Sequence, residues 1–527
     1  MAAGEVDRKQ AVGSHQCMVE NPLPSELGTC VLIHDFLSPA ERTELIKRAE
    51  RRGFASADSD YPPSYRNNER LVDDNTDLAG ALFRRLRGLA PDAIRDRDSD
   101  GSITTWHLHA LNERMRWCRY GPGQRFNIHQ DGVHHRGANC RSRLTFMIYL
   151  SGPEAFDGGD TLFYASGPRA EGGCGAPAVV ARIRPRAGSL IIFDHSIWHA
   201  GDTVTHGVKH ILRSDLLYSC RAKFRTSQEA PFEPGHDGYI WTLAKLADDR
   251  IASAGRDASI RLWTDEGKFV GRLDGHRRSV LGLSEVAPNI LASVSRDRSI
   301  RLWDLDSLTC MGEIDGHSAA VLSIAKLDDG AFATGSADST IVLRDSRGGS
   351  IHRLTGHAGW VWALARLDTY TLVSASEDGS VRLWDIDACA CMAVLPGSQP
   401  LRTIDVLASD TGDNSERLLA AGDLAGHVSI WSLDGREPNL VARFQAHNAA
   451  IRRVRFLSGG RLATCGEDQL LRTWSVSDQR LLLERRRPNF VTDVVEIEGD
   501  KLLCSGYEGG LAVIESTPSA PHVSAYA

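Results

Sequence analysis

Three absences narrow the field before any motif is read. No stretch is long and apolar enough to cross a bilayer, and the opening Met1-Ala-Ala-Gly-Glu-Val-Asp-Arg-Lys-Gln10 has no apolar signal core. A membrane-spanning or secreted protein is not expected. No Cys-x-x-Cys pair occurs, and eleven cysteines without regular spacing suggest neither a disulfide framework nor a zinc site. Reduced thiols in a cytoplasmic setting fit best, with the nucleus left open. A strong charge of one sign is also missing: the balance is −7 over 527 residues, which offers no field to attract nucleic acid. What is there is ordinary globular material, 42% hydrophobic and 24% charged, in a chain long enough for two or three domains.

The stretch Tyr120-Gly-Pro-Gly-Gln-Arg-Phe-Asn-Ile-His-Gln-Asp131 carries the first chemistry. A strand over Arg125–His129 sends Arg125, Asn127 and His129 to one face, with Asp131 following on the same side. A His and a carboxylate so placed can share one ion. The apolar run Ser189-Leu-Ile-Ile-Phe193 leads to a third ligand, His199, in Ile-Trp-His-Ala-Gly. Two His and one carboxylate that leave half the coordination sphere open are the ligand set of non-haem Fe(II) oxygenases. His134 and His135, just beyond Asp131, read as lid residues, with an alternative ligand role left open.

Lys209 comes ten residues after His199, in Gly-Val-Lys-His-Ile-Leu-Arg-Ser-Asp-Leu-Leu-Tyr. Between the ligands lie Arg143-Leu-Thr-Phe-Met-Ile-Tyr-Leu-Ser151 and Phe156-Asp-Gly-Gly-Asp-Thr-Leu-Phe163. Together these motifs, over roughly Cys30 to Tyr218, resemble the prolyl-4-hydroxylase-like branch of the Fe(II)/2-oxoglutarate dioxygenases. The resemblance implies Fe(II) held by a catalytic His129, Asp131 and His199, 2-oxoglutarate and O2 as co-substrates, and ascorbate as reductant. It implies Lys209 against the distal carboxylate of 2-oxoglutarate, Tyr149 as its hydroxyl partner and Tyr120 as a further contact. Arg213, on the same strand face as Lys209, is the alternative grip, because a guanidinium can hold a carboxylate bidentately. Related halogenases vacate the carboxylate position for chloride. Asp131 fills it, so hydroxylation is expected.

In chain order, residues 1–24 read as a polar tail and 25–220 as the dioxygenase domain. Ser38-Pro-Ala-Glu41 is a capping-box start for a helix to about Arg52 that buries Leu45, Ile46 and Ala49. A second helix over about Thr76–Leu89 aligns Leu78, Leu82, Phe83 and Leu86. Both should buttress a barrel. The polar, Pro-rich segment Tyr61–Arg70 is a loop, either a roof over the site or plain surface. From Trp106 the period becomes two, with Gly-rich turns, which predicts a double-sheet jelly roll.

Past Tyr218 the text repeats. Gly-His pairs at His236, His276, His317 and His357, then Ala446-His447, each precede a Ser/Thr strand, an Asp turn and a Leu-Trp-Asp-like strand. This resembles the WD-repeat signature, one four-stranded propeller blade per unit. A buried relay of His, Ser/Thr, Asp and Trp is whole in four blades: His236-Ser253-Asp257-Trp263, His276-Ser293-Asp297-Trp303, His357-Ser374-Asp378-Trp384 and His447-Thr464-Asp468-Trp474. The third blade has Arg344 for Trp, and the fifth has Ala421 and Ala425 for Ser and Asp. Seven blades over 221–516 are expected, with residues near 224–233 closing the last and 517–527 as a tail. The chain is thus expected to be mainly β. Tyr239 and Trp360 are expected exposed on the narrow face as partner contacts, with Trp241 and Trp362 packed between blades.

The leading expectation is hydroxylation of a protein side chain, proline included, with the propeller docking the substrate protein. The alternative is a small-molecule or free amino-acid substrate, with the propeller used for assembly, and a third reading is an inactive scaffold. No nucleic-acid or membrane partner is expected, and oligomeric state is not legible.

Overall fold

The computed structural model describes residues 8–12, 15–57, 61–62, 65–97, 103–134, 136, 140–167, 177–220, 232–397, 399–407, 417–435, 437–497 and 501–515. Two compact units divide the chain at residues 226–227.

In the first unit, Ser38 caps the helix Pro39–Arg52 as expected: its Oγ accepts from Glu41 N, and the Glu41 carboxylate accepts from Ser38 N. Glu41 also pairs with Arg85 at 2.6 Å, joining this helix to the second, Thr76–Leu86. Leu45, Ala49, Leu82 and Leu86 pack with Phe146, Ile148, Leu190 and Leu212 on one face of a large sheet. The middle of that sheet runs Cys30–Ile33, Leu190–Asp194, Cys140–Tyr149, Lys209–Ser219, Arg114–Tyr120 and Glu69–Asp74 in spatial order. A smaller sheet, ordered Val179–Ile183, Thr161–Tyr164, Trp198–Gly201 and Phe126–His129, supplies the other wall. Between the walls lies a second core with Cys118, Tyr120, Phe126, Tyr149, Phe163, Phe193 and Ile211. This is the jelly roll, and its interior is where the polar residues converge.

The polar tail is corrected. Arg8–Val12 and His15–Glu20 form a hairpin, and the second strand pairs with Cys30–Ile33 through Val19↔Ile33 and Glu20↔Leu32. An edge strand leaves a row of N–H and C=O groups needing partners, and the hairpin meets that need while Val19 packs on the core.

The second unit is seven consecutive antiparallel sheets, from Ile240–Lys245 to Leu511–Glu515. Six have four strands, and the last has three among the described residues. The expected outer strand near 224–233 falls largely outside the described residues, as does the tail 517–527. Inner strands close the ring: Leu243 N donates to Asp493 at 2.9 Å and Thr492 Oγ1 to the Ile240 carbonyl at 2.6 Å. The relay holds in all four whole blades. In the first, His236 reaches Asp257 at 3.0 Å and Ser253 at 2.8 Å, and Trp263 Nε1 donates to Ser253 at 2.9 Å. In the third blade Arg344 stands in for Trp, its Nε donating to Thr334 Oγ1 at 3.1 Å.

The assignment of exposed rim aromatics is corrected. Trp360 is buried, packed with Ala320 and Leu322 from the neighbouring blade, whereas Trp362 is half-buried beneath Arg402 at 4.0 Å. Tyr239 is half-buried and stacked on Tyr507, with centroids 4.1 Å apart. Small residues on the adjacent blade leave room for an indole, and a ring that fills a gap gains more than one left in water.

Candidate metal centre and co-substrate pocket

Strand register makes the centre. Phe126–His129 pairs antiparallel with Trp198–Gly201, and His199 lies directly opposite His129. The imidazole centroids are 4.2 Å apart. Asp131 follows the strand and is fixed by its N–H, which donates to the His195 carbonyl at 3.1 Å. All three side chains are buried, and one ligand atom from each lies within 4.8 Å of the others.

The tautomers suit a metal. Nδ1 of His129 is 2.7 Å from the Asn127 carbonyl and Nδ1 of His199 is 2.9 Å from the Ile197 carbonyl. Each backbone oxygen calls for a proton on Nδ1 and so leaves the Nε2 lone pair open. Each Nε2 is 3.6 Å from a carboxylate oxygen of Asp131, and Nε2 of His129 is buried without a hydrogen-bond partner. Two imidazoles and one carboxylate so arranged fit Fe(II). Phe126 stacks on His129 with centroids 3.7 Å apart, and Phe193 lies 4.6 Å from His199, so apolar walls hold both rings.

Charges follow from burial and neighbours. Burial pushes His129 and His199 down, keeping them neutral. For Asp131, burial pushes the carboxyl up, but Arg213 and the imidazoles outweigh it and hold it well below the usual range. Its oxygens are both engaged: Thr145 Oγ1 donates to Oδ2 at 2.5 Å, and Arg213 Nη2 pairs with Oδ1.

The strand Lys209–Ser219 lines the interior with Lys209, Ile211, Arg213 and Asp215, four positions of one alternation. Lys209 Nζ lies 5.6 and 5.8 Å from the ring centroids of Tyr120 and Tyr149 and donates to the Gly159 carbonyl at 2.5 Å. Burial lowers its pKa to about 8. The Tyr149 hydroxyl donates to Thr161 Oγ1 at 2.8 Å, and burial pushes Tyr149 up and Tyr120 up to about 12. Both phenols therefore keep their protons. Arg213 is not beside Lys209: it has turned to Asp131. A buried carboxylate on the facing strand end holds the guanidinium, and Lys209 is the cation beside Tyr120 and Tyr149.

The described part of the Tyr61–Arg70 loop lies against the site. The Tyr65 carbonyl accepts from Asn127 N at 3.1 Å, and the Tyr65 ring meets His129 with centroids 6.0 Å apart. His134 is instead held by Ser142, through two 2.7 Å bonds, and stands outside the ligand group; His135 lies outside the described residues. Thr145 went unnoticed in the sequence, although alternation from Tyr149 back through Met147 points it inward.

Fold and site together define a class. The family model of the 2OG-Fe(II) oxygenase superfamily matches residues 115–214, and that of the WD domain, G-beta repeat, matches 228–264, 267–304, 308–345, 348–385 and 438–475. The chain is a fusion of a 2OG-Fe(II) oxygenase domain with WD repeats. Among curated relatives, it is 28% identical over 136 residues to a PKHD-type hydroxylase of Klebsiella pneumoniae, covering 25% of this chain and 54% of that one. A PKHD-type hydroxylase of Prochlorococcus marinus is 28% identical over 114 residues, covering 22% and 46%. The ribosome biogenesis protein YTM1 of Saccharomyces cerevisiae is 36% identical over 120 residues, 22% of this chain and 25% of its own. The chain thus spans about half the length of these hydroxylases and a quarter of the ribosome biogenesis protein.

Proposed function

We propose that the chain is an Fe(II)- and 2-oxoglutarate-dependent dioxygenase that hydroxylates a protein side chain, proline among the candidates, with the propeller docking the substrate protein. The observation that carries this reading is the buried His129–Asp131–His199 group, with Nε2 of His129 lacking any hydrogen-bond partner. When bound, the iron would supply O2 activation coupled to decarboxylation of 2-oxoglutarate. His129, Asp131 and His199 would hold it. Lys209 would pair with the distal carboxylate of 2-oxoglutarate, since a buried carboxylate needs a counter-charge, and the neutral phenols of Tyr149 and Tyr120 would orient the co-substrate. Thr145 and Arg213 keep Asp131 anionic and fix its rotation. Phe126 and Phe193 exclude water from the imidazoles. WD repeats generally bind proteins, which supports the docking role. Ascorbate would serve as external reductant.

The test is Fe(II)-dependent conversion of 2-oxoglutarate to succinate by the purified chain, followed by capture of partners from lysate and a search for peptides that gain one oxygen atom. Succinate formation that is insensitive to Fe(II) would refute the dioxygenase reading. An oxidised small molecule with no oxidised peptide would replace the protein substrate.

A further inference from the structure

Among the described residues, two cations of the barrel have no counter-ion, Lys209 and Arg66. Arg66, on the loop over the metal centre, is only 5% exposed. Its Nε donates to Asn68 Oδ1 at 2.9 Å and its Nη2 lies 3.9 Å from Cys118 Sγ, and neither partner is a carboxylate. Its Cζ lies 4.1 Å from the centroid of Phe126, the ring that stacks on His129, and 5.2 Å from that of Tyr61. A guanidinium buried among neutral groups is expensive unless something anionic arrives, because burial strips hydration that no partner replaces.

Two neighbouring interior arginines are matched. Arg213 faces Asp131, and Arg116 donates to Asp215 at 2.5 Å. Lys209 is matched once 2-oxoglutarate is bound, under the reading proposed above, and the other carboxylate of that molecule would be taken by the metal. Two carboxylates are then spent, and Arg66 remains. Cys118, which Arg66 touches, is two residues from Tyr120 on the same strand, and both side chains belong to the barrel core. The unmatched charge therefore sits at the wall of the reaction chamber and not on an outer surface.

We propose that Arg66 recognises a carboxylate on the substrate, so that the oxidised carbon belongs to, or adjoins, an acidic group. This rests on the dioxygenase reading and narrows its substrate class. The carboxylate could belong to an acidic residue of a peptide or to a free carboxylic acid, and both offer the planar acceptor that a guanidinium grips with two parallel hydrogen bonds. The alternative role for Arg66 is to pin its loop between Tyr61 and Phe126 with no ligand involved.

The experiment uses the full chain loaded with redox-inert Zn(II) and 2-oxoglutarate, so that binding is read without turnover. Two matched pairs are titrated by calorimetry: a capped Ala-Asp-Ala tripeptide against its Asn twin, and butyrate against butyramide. The expected result is binding of at least one acid about tenfold or more tighter than its amide, as a charge-assisted bond to a buried guanidinium supplies. The pair showing the larger ratio identifies the source. Arg66→Gln should abolish the ratio, and Arg66→Lys should keep part of it. Acid and amide binding alike, or neither binding, overturns the assignment, as does an Arg66→Gln loss that falls on 2-oxoglutarate instead of on the acid. Failure of the wild-type chain to bind 2-oxoglutarate at all would overturn the dioxygenase reading itself, a distinguishable result.

Discussion

The two units use the same residue types to opposite ends. In the propeller, each relay histidine has both nitrogens occupied: His357 meets Asp378 at 2.8 Å and Ser374 at 2.7 Å, and Trp384 completes the hydroxyl. In the oxygenase domain, His129 and His199 have one nitrogen tied to a backbone carbonyl and the other directed at a carboxylate 3.6 Å away. A buried imidazole with two good partners is finished and rigid, whereas one with a single partner is poised to take a ligand. Hydrogen-bond completeness, more than the presence of His beside Asp, separates structural sites from reactive ones.

The largest effect should come from the incomplete side. Asp131→Ala should abolish stoichiometric Fe(II) binding and lower succinate formation by more than about 100-fold, beyond what loss of an outer partner usually costs. Metal analysis after gel filtration checks this, with His134→Ala as the comparison that keeps its iron. Full iron occupancy in Asp131→Ala would break the contrast at its root.

On the complete side, Asp378→Ala should lower the stability of the propeller by about 2–3 kcal/mol, since loss of the charged acceptor leaves the His357 imidazole and the Ala358 and Ser380 backbone N–H groups unpaired. Urea unfolding followed by Trp fluorescence reads it, with Fe(II) binding retained. The same pairs set the acid limit. Burial raises the relay aspartates, but bonds from His and neighbouring hydroxyl and N–H groups outweigh it, holding Asp257, Asp297 and Asp378 far below the ordinary value. Their stabilisation is present above the unfolded carboxyl pKa of about 3.9 and is lost as pH falls below it.

The smallest effect sharpens the role of Lys209. Burial brings it to about 8, so above that pH the free protein loses the ammonium that would meet the distal carboxylate. The Kd for 2-oxoglutarate should be flat below about pH 8 and rise by up to about tenfold per unit above it. Lys209→Met should weaken binding and flatten that rise. A rise unchanged in Lys209→Met would move the cation's role elsewhere.

Local order made much of this legible. His129 and Asp131 share a side because a strand alternates, and the apolar run Leu190–Phe193 is a buried strand, although His199 sits on the next one, Trp198–Gly201, in the smaller sheet. The blades announce themselves through spacing, which survives even where Arg344 replaces the indole and supplies its own N–H to Thr334. Trp360 departs from its expected exposure because position along a strand sets its phase but not what the next blade leaves open. The hairpin over Arg8–Glu20 was misjudged because polar strand text at a chain end resembles a tail until the edge it covers is known.

By itself, then, the sequence pointed to the candidate ligand group, the jelly roll, the seven-unit repeat and the relays, all matters of period, motif and order along the chain. Only the tertiary structure decided that Arg213 pairs with Asp131, that Thr145 completes that carboxylate, and that Arg66 from a loop without periodicity ends inside the barrel facing no anion among the described residues. Those outcomes depend on which side chains from distant strands reach the same few ångströms. Electrostatic pairing there falls off with distance in space and takes no account of distance along the chain.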